Sequence, residues 1–520
     1  MSNDFVDVVF IAPSNARSTY QELSQNYSAI EPPTWALLLA ESVRSVGWNP
    51  KIIDSLAEQL TDEEICSRVK AFSPKLVCFV VYGQNVNSGT TNMSGTIRSA
   101  RALKHSNPNL MISVLGSYVQ AVPMKILQDE PSIDFVFTNE GVYAIRNVLS
   151  QDSLSPNNLE GIKGIAWRRD GVPTINKSEI VVPNHLMDSD LPGYAWDLLP
   201  YAKEPLDLYR SPLWHAEYNE KYRTPYAAIQ TSLGCNFGCS FCMINTINRD
   251  DEESIGVSGN YSGMRFWSPE FVLRQIDIVT SLGVRTIRIV DEMFLLYRKH
   301  YVPLCEMLSK KEYASELRMW AYSRVDTVTN PEFLSLVRRA GIRWLALGIE
   351  SASKKIRLEV SKGKFEDVDI RKVVEQIHES GIEVMANYIV GLPGDTLTTM
   401  NETLQLSIEL CTSGWNMYPA MALPGSQLYK MAIEDNKVLP LNYEGYSFHS
   451  YETVPFASEN LSGAEILKFR DNAFKVYHSD QRFLKRIEDT YGSESVEEIR
   501  KMTKIDLRRK LIDQSQVVSD

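Results

Sequence analysis

Cysteine is scarce in this chain, with seven in 520 residues. At that density, and with no export signal at Met1-Ser2-Asn3-Asp4, a disulfide framework is excluded and a reducing compartment is expected. No run of eighteen or more apolar residues occurs, which excludes an ordinary membrane-spanning helix. Basic excess is lacking too: 54 Lys and Arg stand against 65 Asp and Glu, a formal net charge of -11 spread along the chain. That distribution offers no footprint for a phosphate backbone, so neither nucleic acid nor membrane is expected as a partner. The expectation is a soluble, cytoplasmic protein. Solenoid-length repeats and low-complexity tracts are also missing, although the tail from Glu488 to Asp520 is rich in charge. The length calls for two or three domains, each able to bury its own core.

What the chain does have is a clustering of three of those few cysteines, in Ser232-Leu233-Gly234-Cys235-Asn236-Phe237-Gly238-Cys239-Ser240-Phe241-Cys242. The spacing C-x3-C-x2-C supplies one thiolate too few for an iron-sulfur cube, whose four irons each need a ligand, so one iron stays open. Gly234 and Gly238 allow the backbone to fold closely around a cluster, and Phe241 can cover it. Structural zinc is the alternative for such a run, but it prefers four ligands in paired units, and no other cysteine or histidine is near in sequence. Cys66, Cys78, Cys305 and Cys411 stand singly in apolar runs and read as buried thiols.

The run resembles the CxxxCx-aromatic-C signature of the radical S-adenosylmethionine (SAM) superfamily. The resemblance implies a 4Fe-4S cluster held by Cys235, Cys239 and Cys242, SAM chelated at the open iron, and reductive cleavage to a 5'-deoxyadenosyl radical. It also implies an electron donor such as flavodoxin or ferredoxin, and a small-molecule substrate. From Ala227 onward, β-rich runs alternate with helix-like segments: Ala227–Gln230, Thr286–Val290, Met319–Tyr322, Trp344–Leu347, Val384–Val390 and Asn416–Ala420. Six such units make a partial (β/α)6 barrel of TIM type, with chemistry at the carboxyl ends of the strands. Ser268-Pro269 and Asn330-Pro331 read as helix starts between them. By resemblance, Phe241, Asp291, Glu292, Ser323, Arg324, Glu350 and Gly391 are expected to bind SAM, although the family's Gly-Gly-Glu form is absent at Asp291-Glu292.

The first 150 residues alternate strand and helix in the pattern of a doubly wound, Rossmann-like sheet. Pro32-Pro33-Thr34-Trp35, Ile53-Asp54, Gly116-Ser117 and Glu140-Gly141 resemble the N-terminal cobalamin-binding domain fused to many radical SAM enzymes. That resemblance implies bound cobalamin (vitamin B12), with Gly83, Gln84, Gly116, Ser117, Glu140 and Gly141 as contacts. The family's cobalt-ligating histidine has no counterpart in Asp54-Ser55-Leu56-Ala57-Glu58-Gln59, and a degenerate domain without cobalamin is the alternative. The expected organisation is therefore an α/β protein: residues 1–150 a cobalamin-binding domain, 151–205 a linker with a small hairpin, 206–426 the barrel, and 427–520 a mainly helical subdomain. In that last region Tyr443, Tyr446, His449 and Tyr451 are candidate substrate contacts, packing being the alternative.

The function these readings imply is a cobalamin-dependent radical SAM methyltransferase acting on an unactivated carbon of a small metabolite. A radical SAM cyclase or rearrangement enzyme, and a non-catalytic cobalamin or iron-sulfur sensor, are the rivals. No catalytic side chain is assigned.

Overall fold

The structure is a computed structural model that describes residues 5–82, 88–212, 223–328, 330–361, 365 and 367–517. Its first sheet has seven strands in the order β2-β1-β3-β4-β5-β6-β7: β1 Val8–Ala12, β2 Pro50–Asp54, β3 Leu76–Val81, β4 Ile112–Gly116, β5 Phe135–Phe137, β6 Ile165–Arg169 and β7 Val172–Ile175. The first five pair in parallel, while the hairpin β6–β7 adds antiparallel to β5. The hairpin that the sequence places in a linker is thus part of this sheet. Strands such as β3, Leu-Val-Cys-Phe-Val-Val, are buried throughout because helices cover both faces of a parallel sheet, leaving no wet side to demand alternation. The helix Asp62–Phe72 starts where Thr61 and Glu64 form a reciprocal capping box.

The second sheet has six strands, all parallel, in the order β15-β14-β13-β12-β11-β8. They are β8 Tyr226–Ile229, β11 Thr286–Ile289, β12 Arg318–Arg324, β13 Ile342–Glu350, β14 Glu383–Val390 and β15 Gly414–Pro419. Between β8 and β11 comes a ribbon that the hydrophobic pattern does not announce, β9 Ser232–Cys235 paired antiparallel with β10 Gly263–Phe266. Ser268 and Asn330 cap their helices through side-chain oxygens, as their position before proline predicts. Helices Gln427–Glu434, Gly463–His478, Gln481–Tyr491, Ser493–Met502 and Lys510–Val517 make up the C-terminal region. Among the described residues no helix is long and apolar enough to cross a membrane.

Two features place the site. The connection Pro13–Pro33, between β1 and the helix Thr34–Arg44, leaves the first domain and runs over the barrel. Ile30 exchanges two backbone hydrogen bonds with Arg210 (3.1 and 2.9 Å), and Ser447 donates from Oγ to the Thr19 carbonyl (2.8 Å). The second feature is a close junction between the domains. Met243, Met421, Leu423 and Leu428 share an apolar core with Val81, Val119 and Ile126 of the first domain. Glu140 donates its N–H to the Ile247 carbonyl, and Gly256 donates to that of Ala121.

Candidate active site

Cys235 closes strand β9, and the chain must turn sharply around it. Gly234 supplies the turn with φ +80°, and a Cβ there would lie 2.2 Å from the Gly263 carbonyl oxygen on the paired strand. The Asn245 side-chain oxygen accepts the Cys235 N–H (2.7 Å), and the Cys242 N–H returns to the Cys239 carbonyl (3.1 Å). Cys235, Cys239 and Cys242 all line one cavity of about 690 Å3, together with Phe241. Burial raises the thiols, Cys235 to about 12 and Cys239 to about 11, with each feeling its neighbours' charge. Three thiols lining one cavity, Cys235 buried and Cys239 and Cys242 partly so, with Cys235 accepting from the Phe237 N–H (3.5 Å), are a donor set of the kind a 4Fe-4S cluster takes. Among the described residues no group of three or more His, Cys, Asp or Glu is drawn together as the ligands of a single ion are.

Around the cysteines stand strand-end side chains. Of the residues expected to bind SAM, Glu292, Ser323, Arg324 and Glu350 line the cavity, as Phe241 does. Burial raises both carboxyl groups to about 7, opposed by Arg288 beside Glu292 and by Arg324 beside Glu350. Arg324 is clamped through Nε and Nη2 on the Asp326 carboxylate (2.6 and 2.5 Å), and its guanidinium lies over the rings of Phe237 and Phe365 (3.8 and 4.5 Å). It is therefore held rigidly at the cluster end, with both aromatic rings excluding water.

Two of the expected SAM residues lie elsewhere. Asp291 turns away from the cavity and accepts hydrogen bonds from the Thr231 N–H, Thr231 Oγ1 and Ser232 Oγ (2.6, 2.5 and 2.6 Å). It braces the start of the cysteine strand rather than a ligand. Gly391 is packed under Ile466 and does not line the cavity.

Of the expected cobalamin contacts, Gly83 and Gln84 lie outside the described residues. The other four are built into protein packing. A Cβ on Gly116 would fall 2.3 Å from the Val81 carbonyl oxygen, so glycine is needed there for β4 to pass β3. Ser117 is buried in the short helix Ser117–Ala121, which lies against the segment following the cysteine loop, where Thr246 Oγ1 reaches Gln120 Oε1 (3.3 Å) and Arg249 Nη1 reaches the Gln120 carbonyl (2.5 Å). Glu140, 1 % exposed, pairs with Arg265 (2.7 Å) and accepts the Val182 N–H (2.5 Å), and Gly141 starts the helix Val142–Leu149. Small and acidic residues at these strand ends thus join the two domains. The switch point of the sheet, between β1 and β3 where strand order reverses, is the position at which such folds take a ligand.

Sequence reasoning also missed part of the cavity wall. The connection Pro13–Pro33 contributes Tyr20, Tyr27 and Glu31, and β11 contributes Arg288. Arg288 Nη1 donates to both Glu31 carboxylate oxygens (2.6 and 2.8 Å), Tyr226 OH donates to Glu31 (3.0 Å), and the guanidinium sits between Trp320 and Tyr322 (5.3 and 5.0 Å to the ring centres). Of the four candidates in the C-terminal region, His449 lines the cavity, whereas Tyr443 packs edge-on against Tyr118.

Comparison with known proteins agrees with this geometry. Residues 229–407 match the Radical SAM superfamily. An uncharacterized methyltransferase of Pyrococcus horikoshii, PH0819, is 26% identical over 418 residues, spanning 80% of this chain and 82% of that protein. An anaerobic magnesium-protoporphyrin IX monomethyl ester cyclase of Rubrivivax gelatinosus is 23% identical over 456 residues, 85% of this chain and 72% of that one. Among solved structures, the cobalamin-dependent SAM radical enzyme OxsB, with aqua-cobalamin and SAM bound, superposes with a TM-score of 0.65 at 15% identity, over 95% of this chain and 70% of OxsB. The radical SAM methyltransferase TsrM of Kitasatospora setae, with tryptophan and a SAM analogue bound, gives 0.59 at 15% identity, over 82% and 76%. The matched segment and the three cavity-facing thiols make residues 229–407 a radical SAM domain, and the chain shares its fold with OxsB and TsrM.

Proposed function

We propose that this enzyme transfers a methyl group to an unactivated carbon of a small molecule. The observation that carries the reading is the gathering of three thiols, the Glu292 and Glu350 carboxyl groups and Arg324 around one cavity. Cys235, Cys239 and Cys242 are the residues to hold the cluster, which supplies the electron that cleaves SAM. Glu292, Ser323 and Glu350 are placed to take hydrogen bonds from SAM's amino and ribose groups, and Arg324 to meet its carboxylate. Phe237, Phe241 and the wall from Pro13–Pro33 surround the place where a carbon radical would form. Cobalamin is the second cofactor, on the strength of the first domain's fold and its likeness to OxsB and TsrM, whose structures hold cobalamin. It supplies the methyl carrier.

A second reading, ring closure without methyl transfer, is favoured by the cyclase relatives, whose match spans most of this chain. Both readings use the same thiols. The test is anaerobic reconstitution, reduction, and incubation with methyl-labelled SAM and a metabolite extract of the host. Methyl transfer predicts 5'-deoxyadenosine together with label in a new product. Deoxyadenosine with an unlabelled product supports ring closure, and intact SAM under reduction refutes both.

A further inference from the structure

Among the described residues four lysine and arginine side chains line the cavity, Arg288, Arg324, Arg470 and Lys475. Three of them pair with different carboxylates: Arg288 with Glu31, Arg324 with Asp326 and Lys475 with Asp506. Arg470, on the helix Gly463–His478, shares its carboxylate, Asp471, with Arg509. Arg509 holds Asp471 through two bonds, Nε to Oδ2 and Nη2 to Oδ1 (both 2.9 Å), whereas Arg470 reaches it through Nη1 alone (3.0 Å). The Arg470 and Arg509 side chains are 7 and 1 % exposed, so two guanidinium charges and one carboxylate are shielded from solvent together. One positive charge is left over.

Nothing else among the described residues answers that charge. Glu292 and Glu350 stand opposite Arg288 and Arg324 instead. His449, whose Nε2 is 3.5 Å from Arg470 Nη2, is a neutral ring, because burial and then the two arginines hold it far below the ordinary histidine range. Burial lowers the pKa of Arg288 and of Arg470 alike; Glu31 more than restores Arg288, while Asp471, opposed by Arg509, does not restore Arg470. Nη1 and Nη2 of Arg470 each carry a second hydrogen that meets no acceptor among the described residues. Its Nε donates to the Met417 carbonyl (3.0 Å), which fixes the guanidinium against β15, the edge strand of the barrel. Arg324, the residue placed to meet SAM's carboxylate, ends β12, with β13 and β14 between the two. The two guanidiniums therefore serve different parts of the cavity.

We propose that the substrate is a carboxylic acid, and that its carboxylate pairs with Arg470 in this cavity. This deepens the proposed function and rests on the same cavity being the reaction site. A guanidinium buried without an anion of its own is costly, and a ligand that brings the anion removes that cost as it binds. A single excess charge matches a carboxylate better than a phosphate dianion, and the planar fork of arginine fits the two carboxylate oxygens.

The test titrates reconstituted holoenzyme, with SAM present, with benzoate and hexanoate and with their uncharged counterparts benzamide and hexanamide, using calorimetry. Each carboxylate is expected to bind about tenfold more tightly than its amide, the scale on which a charged hydrogen-bonded pair exceeds a neutral one. Arg470→Gln is expected to erase that preference while amide affinity is unchanged. Should that variant not fold, hydrogen exchange on the wild type takes its place, and benzoate is expected to slow exchange at residues 448–451 and 468–475. An amide that binds as tightly as its acid, a preference that survives in folded Arg470→Gln, or unchanged exchange at those residues overturns the proposal. So does phenyl phosphate binding more tightly than benzoate, which makes the site one for phosphate. Benzoate binding only when SAM or cobalamin is left out overturns it too, by assigning the guanidinium to that cofactor. Reductive SAM cleavage, measured on the same wild-type preparation without added acid, separates these outcomes from a failure of the radical SAM reading.

Discussion

Removing the charge of Glu31 probes how the first domain is fastened to the barrel. Glu31 and Arg288 keep 12 and 5 % of their side-chain surface exposed, so the pair is shielded from solvent and salt. Burial works against the Arg288 charge and the Glu31 carboxylate outweighs it, holding the guanidinium more firmly protonated than in water. Glu31→Gln keeps an oxygen for the Tyr226 hydroxyl and removes only the charge. It takes the ion-paired carboxylate from a buried guanidinium and leaves only the Glu292 carboxyl group near it, a loss of about 3–5 kcal/mol for a buried pair broken on one side. The Trp320 and Tyr322 rings remain over the cation and hold back about 1 kcal/mol of that. The expected loss is therefore about 3 kcal/mol, read by urea unfolding followed through tryptophan fluorescence. Hydrogen exchange should quicken at residues 27–31 and 286–289. The same loss should persist at high salt. Glu31→Gln with Arg288→Met removes both charges and should return to within about 1 kcal/mol of wild type, because an apolar replacement of a buried pair is close to neutral. A single variant within 0.5 kcal/mol of wild type, a threshold set at the scale of surface substitutions, refutes the reasoning, as does a double variant no better than the single.

Other substitutions test other parts. Burial raises Asp54 to about 6 from 3.8, against hydrogen bonds from the Ala57 N–H (3.1 Å) and Tyr209 OH (2.9 Å). The folded chain then keeps a proton that the unfolded chain releases, so stability falls as pH rises between those values. Relative to Asp54→Asn, wild type should lose about 2 kcal/mol between pH 4 and 7 in denaturant titrations, and parallel curves refute this. Alanine at Cys235, Cys239 or Cys242 should each abolish the iron-sulfur chromophore after reconstitution while far-ultraviolet circular dichroism stays native; retained iron in any of the three refutes its ligand role. Gly234→Ala forces a Cβ against the Gly263 carbonyl at positive φ, costing about 1–3 kcal/mol and lowering iron content on reconstitution, whereas full loading would show that the ribbon yields.

The cysteine loop and the parallel strands were legible because their signals are local. Three ligands fall in one short run, and strands covered on both faces are continuous apolar runs such as Leu76–Val81. The wall from Pro13–Pro33 was not legible: its helices Ala16–Tyr20 and Leu23–Asn26 are too short to show a period, and Glu31 meets Arg288 from another domain. The expected corrin contacts are hard to read for a different reason. Gly116, Ser117 and Glu140 are residue types that serve a close domain junction as well as a ligand, and nothing in their order separates the two. At Asp291-Glu292 the chain has already left the strand: β11 ends at Ile289, so the alternation that puts residues two apart on one face stops short of the pair. Arg288 on β11 and Glu292 in the turn after it both line the cavity, while Asp291 accepts hydrogen bonds from Thr231 and Ser232. Which of two adjacent carboxylates faces inward is therefore decided by those hydroxyls on the neighbouring segment, and no period along the chain carries that choice.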